Sequence, residues 1–353
     1  MKIITCTGYH SSGSSAINDL ISEYRSVSCF TDFEFRFLHD LDGISDLEFH
    51  LVECHNRLNS GHAIKRFLKL SRFNEGNLLS KRYSAYIDKK EYRKLTKQYV
   101  SSLTKLTHKG WWFYDLYEKG PKVYYLYQVI NHLIKLLTGK RDKILQKEIM
   151  YCSHPTEEEF LCHTKNYVSS FINAVNKSGN EFVFLDQVVP SSNIERILRY
   201  FSDEIIVFVV DRDPRDVYFS QKYVLNESPV PTENVEKFCM WFRYTHTAGY
   251  GVPENNPHIV RVNFEDLIYD YKRVNNLVEV ACGLFPEDHA NQFARFNPKR
   301  SKSNTKVWKR FNSSQDIKDL IYIEKNLIEY LYDFDRFNDE LVYGKDVAEN
   351  TIF

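Results

Sequence analysis

The sequence has no long uninterrupted run of apolar residues. The longest such run, Ile205 to Val210, is far shorter than the roughly 20 residues that a helix needs to cross a bilayer. The segment Met1 to Ile4 leads directly into Thr5 to Gly8, so it is too short for the apolar region of a secretion signal and has no small-residue cleavage site. We therefore expect neither a membrane span nor a cleaved leader.

Glycine and proline are also scarce, and the net charge is zero. With 13 Gly and 10 Pro in 353 residues and 43% hydrophobic residues, collagen-like, low-complexity and disordered classes are excluded. Lys+Arg and Asp+Glu balance at 47 each, so no overall field attracts nucleic acid or an anionic membrane. Seven cysteines, an odd number, indicate reduced thiols and a cytoplasmic location rather than a disulfide framework.

What the sequence does contain is an alternation of strand and helix patterns. Short apolar strands are predicted at Ile3–Thr7, Phe182–Leu185, Ile205–Val210 and His258–Val262, and helices follow the first three. Such alternation predicts an α/β fold with three layers around a parallel sheet. Apolar residues between about 48 and 175 have mostly helical spacing. We predict a nucleotide-binding core from residues 1–47 and 181–353 and a helical insertion at 48–180 that caps the acceptor side.

A glycine- and serine-rich loop follows the first predicted strand. Four residues separate Gly8 from Gly13, as in loops whose backbone N–H groups hold a phosphate at a helix N-terminus. A nucleoside-triphosphate loop would have Lys directly after the second glycine, whereas this chain has Ser14. The alternative is a serine-rich turn that caps a helix. The candidate phosphate-binding residues are Gly8, Ser11, Ser12, Gly13, Ser14 and Ser15.

The most specific motif follows the strand Ile205–Val210. It contains Arg212, Pro214 and Asp216, and Ser220 follows about two helical turns after the arginine. Here the sequence resembles the sulfotransferase family, whose members use 3′-phosphoadenosine 5′-phosphosulfate and carry a strand followed by R-x-P-x-D and a serine. The resemblance implies that Arg212 and Ser220 grip the 3′-phosphate, a role that suits a guanidinium fork beside a hydroxyl.

Further matches follow in the family's order and cover roughly residues 1–45 and 181–335. The basic segment Lys299–Arg310, which contains Trp308, is similar to the family's cofactor-covering loop, although the usual glycines are absent. The resemblance implies that Lys302, Ser303 and Lys309 contact the nucleotide. Glu265 and Asp266, at the end of a later strand, match an acidic strand end of the family and are expected to be structural.

Two departures from the family concern lysines. When Gly13 is aligned, Ser11 stands where the family's loop usually has Lys or Arg, and Asp186-Gln187 stands where many glycan-modifying members have Glu-Lys. His10, or a basic residue of the insertion such as Lys65 or Arg66, is a candidate substitute for the missing loop cation. Altered or lost activity is the alternative.

Sulfuryl transfer also needs a base that removes the proton of the attacking hydroxyl. Aromatic and β-branched residues within 27–38 predict a further strand and its exit loop, which contains Glu34. Glu34 is the first candidate, because several glycan sulfotransferases place a Glu base after the second strand with a basic residue nearby, and Arg36 is close in sequence. Asp32, His39 and Asp186 are competitors. No metal is expected, and Cys152, His154, Cys162 and His163 lack the spacing of a structural zinc site.

The predicted insertion contains the strongest local charge. From His62 to Gly110, Lys and Arg outnumber acids by 13 to three, and Trp111–Tyr114 follows. Such a surface could bind an acidic saccharide or could be the solvated face of a helical cap. A carbohydrate is the acceptor that the family resemblance implies.

Two other functions are considered. Asp186 at a strand end is typical of magnesium-holding phosphotransferases of the P-loop kinase type, although the absent loop lysine argues against them. A catalytically silent module that binds a nucleotide or polyanion is the third reading. No nucleic-acid partner is expected, and the oligomeric state is left open.

Overall fold

The computed structural model describes residues 1–139, 148–225, 229–247 and 256–337. The chain forms two compact units. The first, here called the sheet unit, comprises Met1–Phe35, Ser178–Leu198 and Asp203–Phe353. The second, here called the helical unit, comprises Arg36–Lys177 and Arg199–Ser202. The predicted division at residues 47/48 and 180/181, and the acceptor-side role of the insertion, stay predictions.

A parallel sheet of five strands forms the centre of the sheet unit. Its order is β2-β5-β1-β6-β7, and all four neighbouring pairs are parallel. A separate antiparallel pair, β3-β4, belongs to the helical unit. The strands are β1 Lys2–Gly8, β2 Val27–Phe30, β3 Leu106–Lys109, β4 Ile149–Cys152, β5 Phe182–Leu185, β6 Glu204–Asp211 and β7 Ile259–Asn263.

Fourteen α-helices lie in the described ranges. The helices are α1 Ser15–Ile21, α2 Ile44–Glu48, α3 Asn59–Glu75, α4 Lys89–Leu103, α5 Tyr114–Tyr117, α6 Pro121–Thr138, α7 Glu157–Val175, α8 Ile194–Leu198, α9 Pro214–Ser220, α10 Val235–Thr247, α11 Phe264–Tyr269, α12 Tyr271–Cys282, α13 Pro298–Ser301 and α14 Ser314–Asn326. Short 3₁₀ turns include Arg36–Leu38, Lys302–Asn304 and Val307–Arg310.

The predicted α/β class is confirmed: the parallel sheet is flanked by helices. The continuous apolar run that predicted β6 is buried along its whole length from Ile205 to Val210, as expected of a strand covered on both faces. On one face, β1, β5 and β6 pack with α1, α11 and α12 through a cluster that includes Phe184, Phe208 and Leu267. This core fixes the carboxyl edge of the strands, where β1 and β6 end side by side.

The helical unit contains a feature that apolar spacing did not predict. Residues Leu106–Lys109, expected within a mostly helical region, form β3 and pair with β4 residues 40 to 46 positions later. Elsewhere in the helical unit, α3, α4 and α7 pack around aromatic side chains. The ring of Tyr99 stacks on that of Tyr167, with ring centroids 4.6 Å apart. No helix in the part of the chain that the structure describes is both long and apolar enough to cross a membrane.

Candidate functional site

The loop between β1 and α1 has the backbone that its glycines predict. Gly13 has a φ of +79°, and a Cβ there would lie 2.5 Å from the ring of Phe264. A Cβ on Gly8 would lie 2.8 Å from the carbonyl oxygen of Val210 on β6. Both positions therefore exclude a side chain, which lets the loop lie against the neighbouring strand. Ser11 also has positive φ, +61°, and so adopts a sparsely populated conformation.

Alanine substitutions at two glycines should separate the cost of a positive φ from the cost of a clash with a neighbouring side chain. Gly13→Ala is expected to lower the free energy of unfolding by about 2–4 kcal/mol, because a strained φ and a clash with the Phe264 ring add together. The matched control is Gly179→Ala, where φ is +70° but no atom lies within 4 Å of the added Cβ, so about 1–2 kcal/mol is expected. Urea unfolding of both variants measures the difference, and equal losses would contradict the close packing of the loop.

Three buried donor groups near the loop lack hydrogen-bond partners within the described residues. They are the hydroxyls of Thr7 and Ser12 and the Nε of Arg212. Thr7 lies in β1, Ser12 in the loop and Arg212 directly after β6. Burying a donor without a partner costs about 1–3 kcal/mol, so such groups are uncommon in folded proteins. A ligand with several acceptor oxygens at this edge would satisfy them.

Arg212 joins the loop to two other segments of the chain. Its Nη1 donates to the carbonyl oxygen of Ser11 at 3.0 Å, and its Nη2 donates to the hydroxyl of Ser220 at 3.1 Å. The same Nη2 donates to the carbonyl oxygen of Asn304 at 2.7 Å. The side chain is 9% exposed, and its guanidinium lies 5.1 Å from the ring centroid of Phe264. The structure thus brings three sequence-predicted segments to one cation.

Asp216 of the same motif has a different contact. Its carboxylate accepts the backbone N–H groups of Lys306 at 3.0 Å and Val307 at 2.6 Å. Burial raises its pKa to about 7, with Arg212 opposing the rise and Asp213 adding to it. Glu265 accepts the N–H of Asp213, and burial raises its pKa well above the ordinary range. These carboxyls hold the basic segment 299–310 and the start of α9 in place beside Arg212.

Tyr9, the aromatic residue of the loop, packs against helix α10. The ring of Tyr9 stacks on His246 of α10, with ring centroids 3.6 Å apart. His246 places Nδ1 2.7 Å from the carbonyl oxygen of Phe242 and Nε2 3.0 Å from the carboxylate of Asp211. Both ring nitrogens therefore lie within hydrogen-bond distance of an oxygen, which fixes the orientation of the ring. Burial, followed by the charge of Asp211, raises the pKa of Tyr9 to about 12.

Two candidate bases lie close together at the carboxyl edge. Asp186 follows β5 and is 8% exposed, and its backbone oxygen accepts the N–H of Phe35, which fixes the segment that carries Glu34. Burial raises the pKa of Asp186 to about 6; Asn18 opposes the rise through a hydrogen bond, and the charge of Glu34 adds to it. Glu34 itself is exposed. The arrangement is a buried carboxyl beside an accessible one.

The raised pKa of Asp186 predicts a pH-dependent gain in stability for Asp186→Asn. A carboxyl whose folded pKa exceeds its unfolded value destabilises the fold once it ionises, so stability is lost as pH rises towards about 6. The neutral amide avoids this cost. We expect the variant to be more stable by about 1–3 kcal/mol at pH 8 and by less than half of that at pH 4, measured by urea unfolding. An equal gain in stability at pH 4 and pH 8 would contradict a pKa of about 6 for Asp186.

The other candidates of the sheet unit are placed as follows. His10 is exposed, as are Asp32 and Ser15. Ser303 donates its hydroxyl to the carbonyl oxygen of Arg300 at 3.0 Å, and Lys302 is half-buried, with Nζ 6.0 Å from the ring centroid of Tyr269. Lys309 lines a cavity of about 230 Å³ with Arg215 and Trp308.

Three candidates, His39, Lys65 and Arg66, belong to the helical unit. Lys65 pairs with Asp115 at 2.7 Å, and Arg66 pairs with Asp42. Each of these cations is already matched by a carboxylate, which makes both poor replacements for the missing loop cation. The four His and Cys residues that were considered for zinc form no metal-holding group of three or more among the described residues.

Sequence reasoning missed two residues of the site. The side-chain amide of Gln221 donates to the hydroxyl of Ser11, and the backbone of Asn304 accepts from Arg212. Gln221 directly follows Ser220 in the sequence, so its position after the R-x-P-x-D helix was a usable signal. The Asn304 contact involves a backbone oxygen 92 residues from the arginine, which no side-chain pattern reports.

Comparisons with known proteins do not place the chain in a family. No family profile matches the chain, and no curated protein matches its sequence. Among solved structures, the chain is similar to the sulfotransferase domain of the olefin synthase from Synechococcus PCC 7002, with 13% identity and a TM-score of 0.41 over 95% of this chain and 96% of that one. At this identity and TM-score the likeness does not identify a function.

Proposed function

We propose that this protein is a sulfotransferase that moves a sulfuryl group from 3′-phosphoadenosine 5′-phosphosulfate to a hydroxyl group. The observation that carries the proposal is the position of Arg212, whose guanidinium contacts both the Ser11 carbonyl and the Ser220 hydroxyl. One cation thereby adjoins the loop and the serine that the motif pairs with it. The buried donors of Thr7, Ser12 and Arg212 Nε supply unused hydrogen bonds for phosphate and sulfate oxygens.

Each end of the donor is assigned to a separate group of residues. The backbone N–H groups of Gly8–Ser15 and the N-terminus of α1 bind the 5′-phosphosulfate, since a glycine-rich turn before a helix attracts anions. Arg212 and Ser220 bind the 3′-phosphate. The segment Lys299–Arg310, which Asp216 anchors through Lys306 and Val307, covers the nucleotide. Lys302, Ser303 and Lys309 are its proposed contacts, and the Ser303 hydroxyl must leave the Arg300 carbonyl to make one.

The missing loop cation needs a substitute other than Arg212. Arg212 lies close, with Nη1 3.0 Å from the backbone oxygen of Ser11, but it is assigned to the 3′-phosphate. His10, which is exposed in the same loop, is the proposed group that stabilises the negative charge developing on the bridging oxygen as the sulfur–oxygen bond breaks. Lys65 and Arg66 are poorer candidates, because both are paired with carboxylates.

Glu34 is the proposed general base, because it is accessible to an acceptor. The acceptor oxygen attacks sulfur in line and its proton passes to the Glu34 carboxylate. Adenosine 3′,5′-bisphosphate leaves with the electron pair of the broken bond. Asp186 is the principal competitor. A carbohydrate hydroxyl is the proposed acceptor, following the family resemblance.

Transfer of labelled sulfate tests the proposal directly. The protein is incubated with ³⁵S-labelled donor and a panel of neutral and acidic saccharides, with simple alcohols and phenols added to cover other hydroxyls. We expect label in at least one acceptor, without added magnesium. An absence of transfer to every acceptor, together with an absence of donor hydrolysis, would contradict sulfuryl transfer.

A further inference from the structure

The helical unit contains a cavity that involves neither Arg212 nor the glycine-rich loop. Its volume is about 670 Å³, within the range of small-molecule sites, which is about 300–1,000 Å³. Helices α3 and α4 form two walls, and β3 with Tyr151 of β4 forms a third. Leu68, Val100 and Leu106 contribute apolar surface. All of these elements lie in the helical unit, so the cavity is complete within it.

Cations dominate the charged groups around this cavity. Arg72, Arg93, Lys97 and Lys105 line it, whereas Glu75 is the single carboxylate in the lining. Glu75 is buried and already engaged, because Arg93 donates to it through Nε at 2.6 Å and Nη2 at 2.7 Å. Three positive charges therefore remain in excess. The basic stretch noted in the sequence thus supplies cations to a cavity rather than only to a solvated surface.

Three of these cations have no carboxylate within ion-pair distance in the described ranges: Arg72, Lys97 and Lys105. All three are exposed, and Arg72 and Lys97 lie on α3 and α4, the two helices that form walls of the cavity. Burial raises the pKa of Tyr151, and the charge of Arg72 opposes that rise, so the guanidinium lies near the phenol. Where α3 and α4 meet, the polar groups are hydroxyls. The Ser71 Oγ of α3 lies 3.2 Å from the Thr96 Oγ1 of α4. A lining of aliphatic and hydroxyl-bearing side chains with cations at its exposed edge suits a ligand with one apolar and one anionic part.

We propose that this cavity binds an amphipathic anion, a molecule with a carboxylate, sulfate or phosphate head and an apolar body. Arg72 and Lys97 bind the head at the rim, and the body contacts Leu68, Val100 and Leu106. Arginine can bind an oxyanion head with two parallel hydrogen bonds, and lysine adds a point charge. A neutral ligand of the same shape lacks these contacts and binds more weakly.

Decanoate is the probe, with decanol and decyltrimethylammonium as neutral and cationic counterparts, titrated into the full chain by isothermal calorimetry. We expect saturable binding of decanoate and at least tenfold weaker binding of both counterparts. The double variant Arg72→Ala/Lys97→Ala should weaken decanoate binding at least tenfold. The matched control Lys69→Ala/Lys94→Ala removes two exposed cations from the same helices outside the cavity lining and should change the affinity less than twofold.

Ser101→Trp provides an independent test, because it places a large ring in the cavity from an exposed lining position without changing charge. It too should weaken decanoate binding at least tenfold, with a thermal midpoint close to that of the parent. Equal decanoate affinity for the parent and Arg72→Ala/Lys97→Ala would overturn the proposal. Equal losses in both double variants would also overturn it, because they would indicate attraction by overall charge only.

Discussion

Replacing Arg212 with Ala is expected to weaken binding of adenosine 3′,5′-bisphosphate by at least about 100-fold. The guanidinium contacts the loop, Ser220 and Asn304, and a charge-assisted hydrogen bond contributes about 1.5–3 kcal/mol. Losing two such bonds to a phosphate gives the expected factor. Isothermal calorimetry with the bisphosphate measures it directly, without turnover or an acceptor.

Two further variants separate charge from geometry at this position. Arg212→Lys keeps the positive charge but not the planar fork, and an intermediate loss is expected. Lys237→Ala removes an exposed cation of α10 that pairs only with Glu233 in the described ranges, and the affinity should stay within twofold. Undiminished binding by Arg212→Ala would refute the 3′-phosphate assignment, provided that its thermal midpoint shows a folded protein.

Glu34→Gln is expected to lower kcat for sulfuryl transfer by about 10²–10⁴-fold, the usual contribution of a general base. The amide keeps the shape of the side chain but cannot accept a proton. Bisphosphate affinity should change less than twofold, because Glu34 is assigned to the acceptor and not to the nucleotide. Single-turnover transfer of labelled sulfate, compared with bisphosphate titration, separates the two effects.

The neighbouring carboxyls make this test discriminating. Asp32→Asn changes another exposed carboxylate two residues away and should retain activity within threefold. Should Asp186→Asn lose activity while Glu34→Gln keeps it, Asp186 is the base. In that case kcat/KM would fall below about pH 6, since the pKa of Asp186 lies at about 6 and only its ionised form accepts a proton.

The sequence was informative where structure depends on local pattern. Phe182–Leu185 was predicted as a strand and forms β5 with the same bounds, because a continuous apolar run between polar neighbours suits a strand buried on both faces. Apolar residues also recur at helical spacing from Asp316 to Tyr332, but α14 stops at Asn326 and a 3₁₀ turn follows at Ile328–Tyr330. Helix ends depend on packing that apolar spacing does not encode.

Structure that depends on distant contacts was less predictable. Strand β3 is exposed along its whole length and pairs with β4 from a distant part of the chain, so neither apolar alternation nor a short turn marked it. At the site, the motif identified Arg212 and Ser220, but the contact between Arg212 and the loop backbone depends on how β1 and β6 end side by side. The contacts of Asp216 also depend on the fold, because its partners, the N–H groups of Lys306 and Val307, lie 90 and 91 residues away in the sequence.

The unmatched donors at the loop explain why the sheet unit is expected to gain stability from its ligand. A ligand that binds only the folded state stabilises it in proportion to the logarithm of its concentration over Kd, by about 2.7 kcal/mol at 100 times Kd. Thr7, Ser12 and Arg212 Nε are buried without partners in the described part of the chain, so the bisphosphate completes hydrogen bonds that the protein alone leaves unmade.

Calorimetric titration of the parent protein with adenosine 3′,5′-bisphosphate, in EDTA and without magnesium, tests the central claim most directly. The predicted result is one-site, saturable binding, with ATP under the same conditions binding at least tenfold more weakly because it has no 3′-phosphate for Arg212 and Ser220. Binding of ATP that requires magnesium, with no detectable binding of the bisphosphate, would contradict the claim that Arg212 and the glycine loop hold the two ends of one doubly phosphorylated adenosine.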